Sequence, residues 1–303
     1  PRYEGCHEHL VRTRSDVILA IHEGYLRAGA DIIETNSFGS SSLVLAEYEL
    51  ADQAYALTHE AARLARKAAD RYSTSGKLCF VAGSMWPTTK AISVTGGVRF
   101  DQLVRAFREQ ARALVDGGVD YLLLETCQDT RNIKAGLVGI EQLSQEWGRP
   151  IPVAVSVTIE PGGTMLAGQD MEALITSLEH VDLLYLGLNC ATGPEQMADH
   201  LRVMAERAAV AVACVPNAGM PDEDGHYGET PHQMARAVER FAQQGWLNVV
   251  GGCCGTTSEH IRALVETVSG YSPRTPKAIT ATFVSGIDNL EIGESNRPVL
   301  VGE

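Results

Sequence analysis

Nearly continuous apolar runs alternate with longer stretches of helical period along most of the chain. The runs are Ala30–Ser37, Leu78–Ser84, Val119–Thr126, Ile151–Ile159, Leu183–Cys190, Ala211–Asn217 and Leu247–Cys253. Strands covered on both faces have this composition. Between them the spacing predicts amphipathic helices, such as Ser15–Ala28, Asp101–Asp116, Gln169–His180, Pro194–Ala208 and Thr230–Gln244. Ser15, Asp101 and Thr230 are placed as N-caps, and Gly117–Gly118, Gly29 and Gly245 as helix ends. Strands alternating with helices are βα units on a parallel sheet. Seven units over about 270 residues predict an α/β fold, a (β/α)₈ TIM barrel whose first strand is missing, rather than a doubly wound sheet. After Gly270 the helical period is lost among Pro, Thr, Ser and Gly. Residues 1–270 are therefore expected to be one barrel. Residues 271–303 are read as a linker that closes on a short apolar run, Pro298–Val301, the opening strand of a following module.

Composition narrows the partners. The chain has 303 residues, 38 acidic against 25 basic, and a net charge of −13. That charge repels nucleic acid and anionic membrane surfaces, which leaves a small molecule or a protein as partner. No apolar run approaches the roughly 20 residues of a membrane span, and the opening PRYEGCHEHLVRTRSD has no apolar core of a secretory signal. A cytoplasmic location is expected. Seven cysteines are an odd number scattered through a long chain, which argues against a disulfide scaffold.

The informative chemistry lies in GLNC, ending at Cys190, and in GGCCG around Cys253 and Cys254, both at the C-terminal ends of predicted strands. Barrels place their active sites there. Adjacent residues of an extended strand point to opposite faces, so Cys253 and Cys254 share a metal only if the backbone leaves the strand; Gly251, Gly252 and Gly255 permit this. With a missing first strand, the two cysteine strands become the sixth and eighth, two apart around the mouth. A Cys₃ site leaves the fourth tetrahedral position of Zn²⁺ open, as in catalytic zinc. A thiol entering it loses its proton and becomes a nucleophile, so the implied reaction is S-alkylation. The alternative is that these cysteines are small buried hydrophobes, or that Cys253 and Cys254 form a vicinal disulfide. Cys6, Cys79 and Cys214 are read as packing. Cys127, one residue past its strand, is the rival ligand. His226 and Tyr227 are assigned to a solvated loop, and His22 to helix surface or packing.

Five segments, GADIIETNSFGS, LLLETCQDTRNIKAG, GLNCATGPEQM, VPNAGMP and GGCCGTT, resemble the homocysteine S-methyltransferase family, over about Glu4 to Val268. The resemblance implies that Cys190, Cys253 and Cys254 ligate one zinc, which binds the sulfur of L-homocysteine. It also implies that Glu125 binds the substrate ammonium. Asn36, Asn189 and Asn217, also at strand ends, either orient the substrate or tie down loops. The family's first strand carries an Asp-Gly-rich turn that helps hold the amino acid, and it would precede Pro1.

The tail, FVSGIDNLEIGESNRPVLVGE, resembles the segment joining the homocysteine barrel to the folate barrel in the cobalamin-dependent methionine synthase branch. This implies a methyltransferase whose donor, methylcobalamin, is recharged from 5-methyltetrahydrofolate on other modules of the same polypeptide. The alternatives are a stand-alone enzyme using betaine or S-methylmethionine, and, in another class, a dithiol redox or metal-storage protein.

Overall fold

The structure, a computed structural model, describes residues 3–278 and 280–299. Seven strands form one parallel sheet in chain order: β1 (Ile32–Glu34), β2 (Phe80–Met85), β3 (Tyr121–Cys127), β4 (Val153–Val157), β5 (Tyr185–Asn189), β6 (Ala211–Val215) and β7 (Val249–Val250). Each of the seven apolar runs holds a strand shorter than itself, but β2 and β3 extend one residue past theirs, to Met85 and to Cys127, which ends its strand rather than following it. Two single-turn helices, α1 (Leu10–Thr13) and α3 (Ser42–Leu45), accompany the longer ones. The longer helices are α2 (Ser15–Arg27), α4 (Ala54–Tyr72), α5 (Phe100–Asp116), α6 (Thr130–Trp147), α7 (Met171–Leu178), α8 (Pro194–Arg207), α9 (Pro231–Gln243) and α10 (Ser258–Val268). None of the described helices is long and apolar enough to cross a membrane.

Two faces of the sheet have different roles. Val81, Leu122, Leu124, Val155, Leu186, Leu188 and Val212 point outward into the helix layer. Ala82, Tyr121, Leu123, Ala154, Tyr185 and Ala213 point inward and cluster with Ile32, Ala211 and Val249. One cluster drawing on all seven strands requires a sheet curled on itself, and α10 accordingly reaches α2, the helix leading into β1. The Tyr121 and Tyr185 hydroxyls meet at 3.0 Å and floor the interior. The edges β1 and β7 do not pair, so the described residues form a curled, all-parallel half-barrel, as a barrel without its first strand would, and not a closed ring.

Capping corrects two assignments. Thr230 caps α9, its hydroxyl accepting from Gln233 N–H while Gln233 Oε1 accepts from Thr230 N–H at 2.9 Å. Asp101 instead lies inside α5, where it pairs with Arg99 and Arg105; Arg99 precedes the helix and donates its N–H to Gln102 Oε1 at 2.9 Å. Ser15 is the first residue of α2 and Arg14 precedes it.

Among the described residues after Gly270 the only helix is a single 3₁₀ turn, Glu294–Asn296, in keeping with the composition, yet the stretch is fastened to the sheet's outer layer. Arg274 is buried and donates to the carbonyls of Ala205 and Val210, at 2.9 and 2.7 Å, and to that of Ala208. These carbonyls lie at and just beyond the end of α8, where a cation also meets the negative pole of the helix. A small antiparallel hairpin, β8 (Phe283–Ser285) with β9 (Asn289–Glu291), then packs on α7. Thr176 Oγ1 donates to Asn289 Oδ1 at 2.7 Å, and the Arg207 guanidinium lies 5.1 Å from the Phe283 ring centre. We expect Arg274→Ala to lower the unfolding free energy by about 3 kcal/mol, the scale of losing buried hydrogen bonds to a charged donor. Urea denaturation monitored by circular dichroism measures this. Leu300 and Val301, half of the expected closing strand, lie outside the described residues.

Candidate metal centre

Two loop entries carry the thiols. Cys190 follows the last residue of β5 and takes a left-handed backbone, φ +60°, as does Ala191 at +57°. Such values cost a residue with a Cβ on the order of 1 kcal/mol or more and need outside support. Cys190 N–H donates to Val215 O at 3.3 Å, and Thr192 N–H donates to Cys190 O at 2.7 Å. At the second pair the backbone has left the strand, as a shared metal requires, and earlier than the run Leu247–Cys253 implies: β7 ends at Val250 and both cysteines lie in the turn beyond it. Segment 216–218 clamps that turn. Cys253 N–H donates to Pro216 O at 2.8 Å, Cys254 N–H to Asn217 Oδ1 at 3.1 Å, and Ala218 N–H to Cys254 O at 2.9 Å.

This folding brings the three sulfurs together. Cys190 Sγ lies 3.7 Å from Cys254 Sγ, and Cys253 Sγ lies 4.0 Å from Cys254 Sγ. All three lie within 4.8 Å of one another, the one such metal-capable group among the described residues. A disulfide needs about 2.05 Å, so these are free thiols. Tetrahedral zinc with Zn–S bonds of about 2.3 Å sets its sulfurs about 3.8 Å apart, which the observed spacing matches. The donor set therefore fits a thiophilic divalent ion. Hydrogen bonding from the neighbouring Cys190 and Cys253 thiols pushes Cys254 below an ordinary thiol, while contacts with Cys190 and Cys254 push Cys253 up. Three thiolates this close repel one another and need a cation among them.

The rival ligand is turned away. Cys127 is buried in the outward layer, its sulfur 3.8 Å from Glu125 O, and burial raises it out of the thiolate range. Cys6, Cys79 and Cys214 are likewise buried.

Glu125 opens into the interior from β3, 8% exposed, with the Ser84 hydroxyl donating to its Oε1. Burial raises its carboxyl well above the usual range, and the charge of Glu34 raises it further against the Ser84 hydrogen bond. Glu34 was not anticipated; it ends β1 on the face it shares with Ile32, facing inward. A charged residue inside the apolar run Ala30–Ser37 was its one sequence signal. Asn189 is a buried hub. Its Oδ1 accepts from Thr126 N–H at 3.0 Å and Ser156 Oγ at 2.7 Å, and its Nδ2 donates to Thr126 Oγ1 at 2.8 Å and lies 3.9 Å from Cys253 Sγ. Asn217 holds the Cys254 amide, and Asn36 donates to His7 O at 3.0 Å.

Two loop residues assigned to solvent part company. His226 stays exposed and pairs with Asp222. Tyr227 does not: it is half-buried, its side chain packing on Gly255. His22 is buried, in keeping with a packing role, and loses basicity by burial to about 4.

Residues 2–268 match the sequence model of homocysteine S-methyltransferases. The chain belongs to that family. Its fold is similar to that of the homocysteine methyltransferase MmuM from Escherichia coli. Against the metallated form the TM-score is 0.70 at 24% identity, covering 84% of this chain and 85% of that one. Against the apo form it is 0.68 at 24% identity, covering 87% and 90%. Against the oxidised form it is 0.68 at 23% identity, covering 85% and 86%.

Proposed function

We propose that this homocysteine S-methyltransferase family member transfers a methyl group to the thiol of L-homocysteine, giving L-methionine, with zinc held by Cys190, Cys253 and Cys254. The observation that carries the reading is the spacing of three sulfurs for a tetrahedral ion in the same mouth as a buried carboxyl. When bound, zinc leaves one tetrahedral position for the substrate thiol, which loses its proton there and becomes a nucleophile without a general base. Everything else falls to the chain. Cys190 and the Cys253–Cys254 turn are pinned by segment 215–218, so the thiolates are positioned before substrate arrives. Glu125 receives the ammonium. Asn189, through Thr126 and Ser156, holds the ends of β3 and β4 beside the thiols, while Asn36 and Asn217 fix loops around the mouth. We read the curled sheet as a (β/α)₈ barrel, with the place of one strand between β1 and β7.

We further propose methylcobalamin as donor, recharged from 5-methyltetrahydrofolate on other modules of the same polypeptide, and a cytoplasmic setting; the tail sequence supports the donor. The stand-alone alternative with betaine or S-methylmethionine fits the family match equally well. Zinc X-ray absorption tests the shared chemistry: three sulfur neighbours should become four when homocysteine is added. An unchanged count would exclude direct ligation. Product formation from each donor then separates the branches, and turnover with S-methylmethionine or betaine but none with methylcobalamin would reject the cobalamin branch.

A further inference from the structure

One peptide plane joins Cys253 to Cys254, and its tilt decides whether their side chains converge, because adjacent residues of an extended chain point to opposite faces. Both edges of that plane are held. On one edge the Cys254 N–H donates to Asn217 Oδ1 at 3.1 Å, from the segment after β6. On the other the Cys253 carbonyl accepts twice from Thr256, from its hydroxyl at 2.7 Å and from its N–H at 3.2 Å. The Thr256 side chain lies directly over the residue before the pair: a Cβ on Gly252 would come 2.6 Å from Thr256 Cγ2 and 2.7 Å from its Oγ1. Thr256 is itself anchored from a distant part of the chain, the Tyr25 hydroxyl of α2 donating to Thr256 O at 3.1 Å. That bond crosses the open edge of the sheet, since α2 leads into β1 while Thr256 follows β7. The next residue has a different duty. Thr257 is the N-cap of α10, its N–H donating to His260 Nδ1 at 3.1 Å, so one of the two consecutive threonines serves the helix and the other the turn.

We propose that Thr256 is a positioning residue of the metal centre: its hydroxyl fixes the Cys253–Cys254 peptide plane so that both sulfurs meet one ion, and Tyr25 holds Thr256 in place from across the open edge of the sheet. The proposal rests on the metal reading above. Without the hydroxyl bond the Cys253 carbonyl keeps only the longer N–H contact. The plane is then free to swing, and the two sulfurs lose their 4.0 Å spacing, which is close to that of tetrahedral zinc. Outer partners that orient metal ligands are worth about 10- to 100-fold in affinity.

Zinc affinity, measured by competition with a chromogenic chelator, decides the matter on the full chain and its Thr256→Val, Thr256→Ser and Tyr25→Phe variants. Circular dichroism of the metal-free proteins follows the fold. Valine keeps the shape of threonine and removes the hydroxyl, whereas serine keeps the hydroxyl. We expect Thr256→Val to bind zinc about tenfold more weakly and Thr256→Ser to bind as the wild type does. Tyr25→Phe should bind about threefold more weakly, the scale of one hydrogen bond. A merely structural role would lower the melting of the metal-free protein and leave the affinity of the folded protein unchanged. Wild-type affinity in Thr256→Val or in Tyr25→Phe therefore overturns the proposal, and so does a serine variant as weak as the valine one. Failure of the wild-type chain to take up one zinc instead overturns the metal reading, and the proposal with it.

Discussion

Cys190→Ser should abolish zinc binding and methyl transfer together while leaving the fold in place. Cys190 is one of three sulfurs spaced 3.7 to 4.0 Å from Cys254 or joined through it. Serine offers a harder oxygen that stays protonated at neutral pH and prefers a shorter bond to zinc than the 2.3 Å or so of sulfur. Two thiolates alone leave an ion that exchanges with water. We expect bound zinc to fall from one per chain to near zero and turnover to fall at least about a thousandfold, some 4 kcal/mol of barrier. The side chain is half-buried and its backbone bonds survive, so circular dichroism and melting should change little. Cys127→Ala is the matched control, because that thiol faces the helix layer. It should retain zinc at a modest cost in stability. Full zinc occupancy in Cys190→Ser by atomic emission would remove this cysteine from the ligand set.

Glu125→Gln should raise KM for homocysteine roughly thirtyfold, about 2 kcal/mol, the scale of a buried hydrogen bond between charged partners. The loss should be selective. The analogue 4-mercaptobutanoate, homocysteine without its amino group, should react equally with both proteins; a parallel loss would mean that the substitution damages the thiol site. The titration of Glu125 gives a second signature. Burial and the charge of Glu34 raise its carboxyl in the free protein. An incoming ammonium favours the ionised form, so binding lowers that pKa and releases a proton in the window between the two values. Calorimetry in buffers of different ionisation enthalpy should show this release in the wild type, above that from the substrate thiol, and not in Glu125→Gln.

The two predictions draw on residues whose legibility in sequence differed. Cys190, Cys253 and Cys254 stood out because each follows an apolar run, and the exit of the backbone before Cys253 was implied by the surrounding glycines. Strand ends were less legible. The run Leu247–Cys253 holds only a two-residue strand, since pairing with β6 stops at Cys214–Val250 and the turn is taken over by hydrogen bonds from segment 216–218. Asp101 has the residue type of a cap, but it lies inside α5, where it pairs with Arg99 and Arg105 instead.

By itself the sequence determined the strand and helix order, the parallel sheet, the family and the three thiols, because apolar periodicity and local motifs act over a few residues. Only the tertiary structure decided that Cys127 faces away, that Glu34 stands near Glu125, that Tyr227 lies on Gly255, and that the tail is anchored through Arg274. Each of these depends on which face of a short strand the curled sheet turns inward, or on contacts between loops far apart in the chain. Neither leaves a period in the sequence.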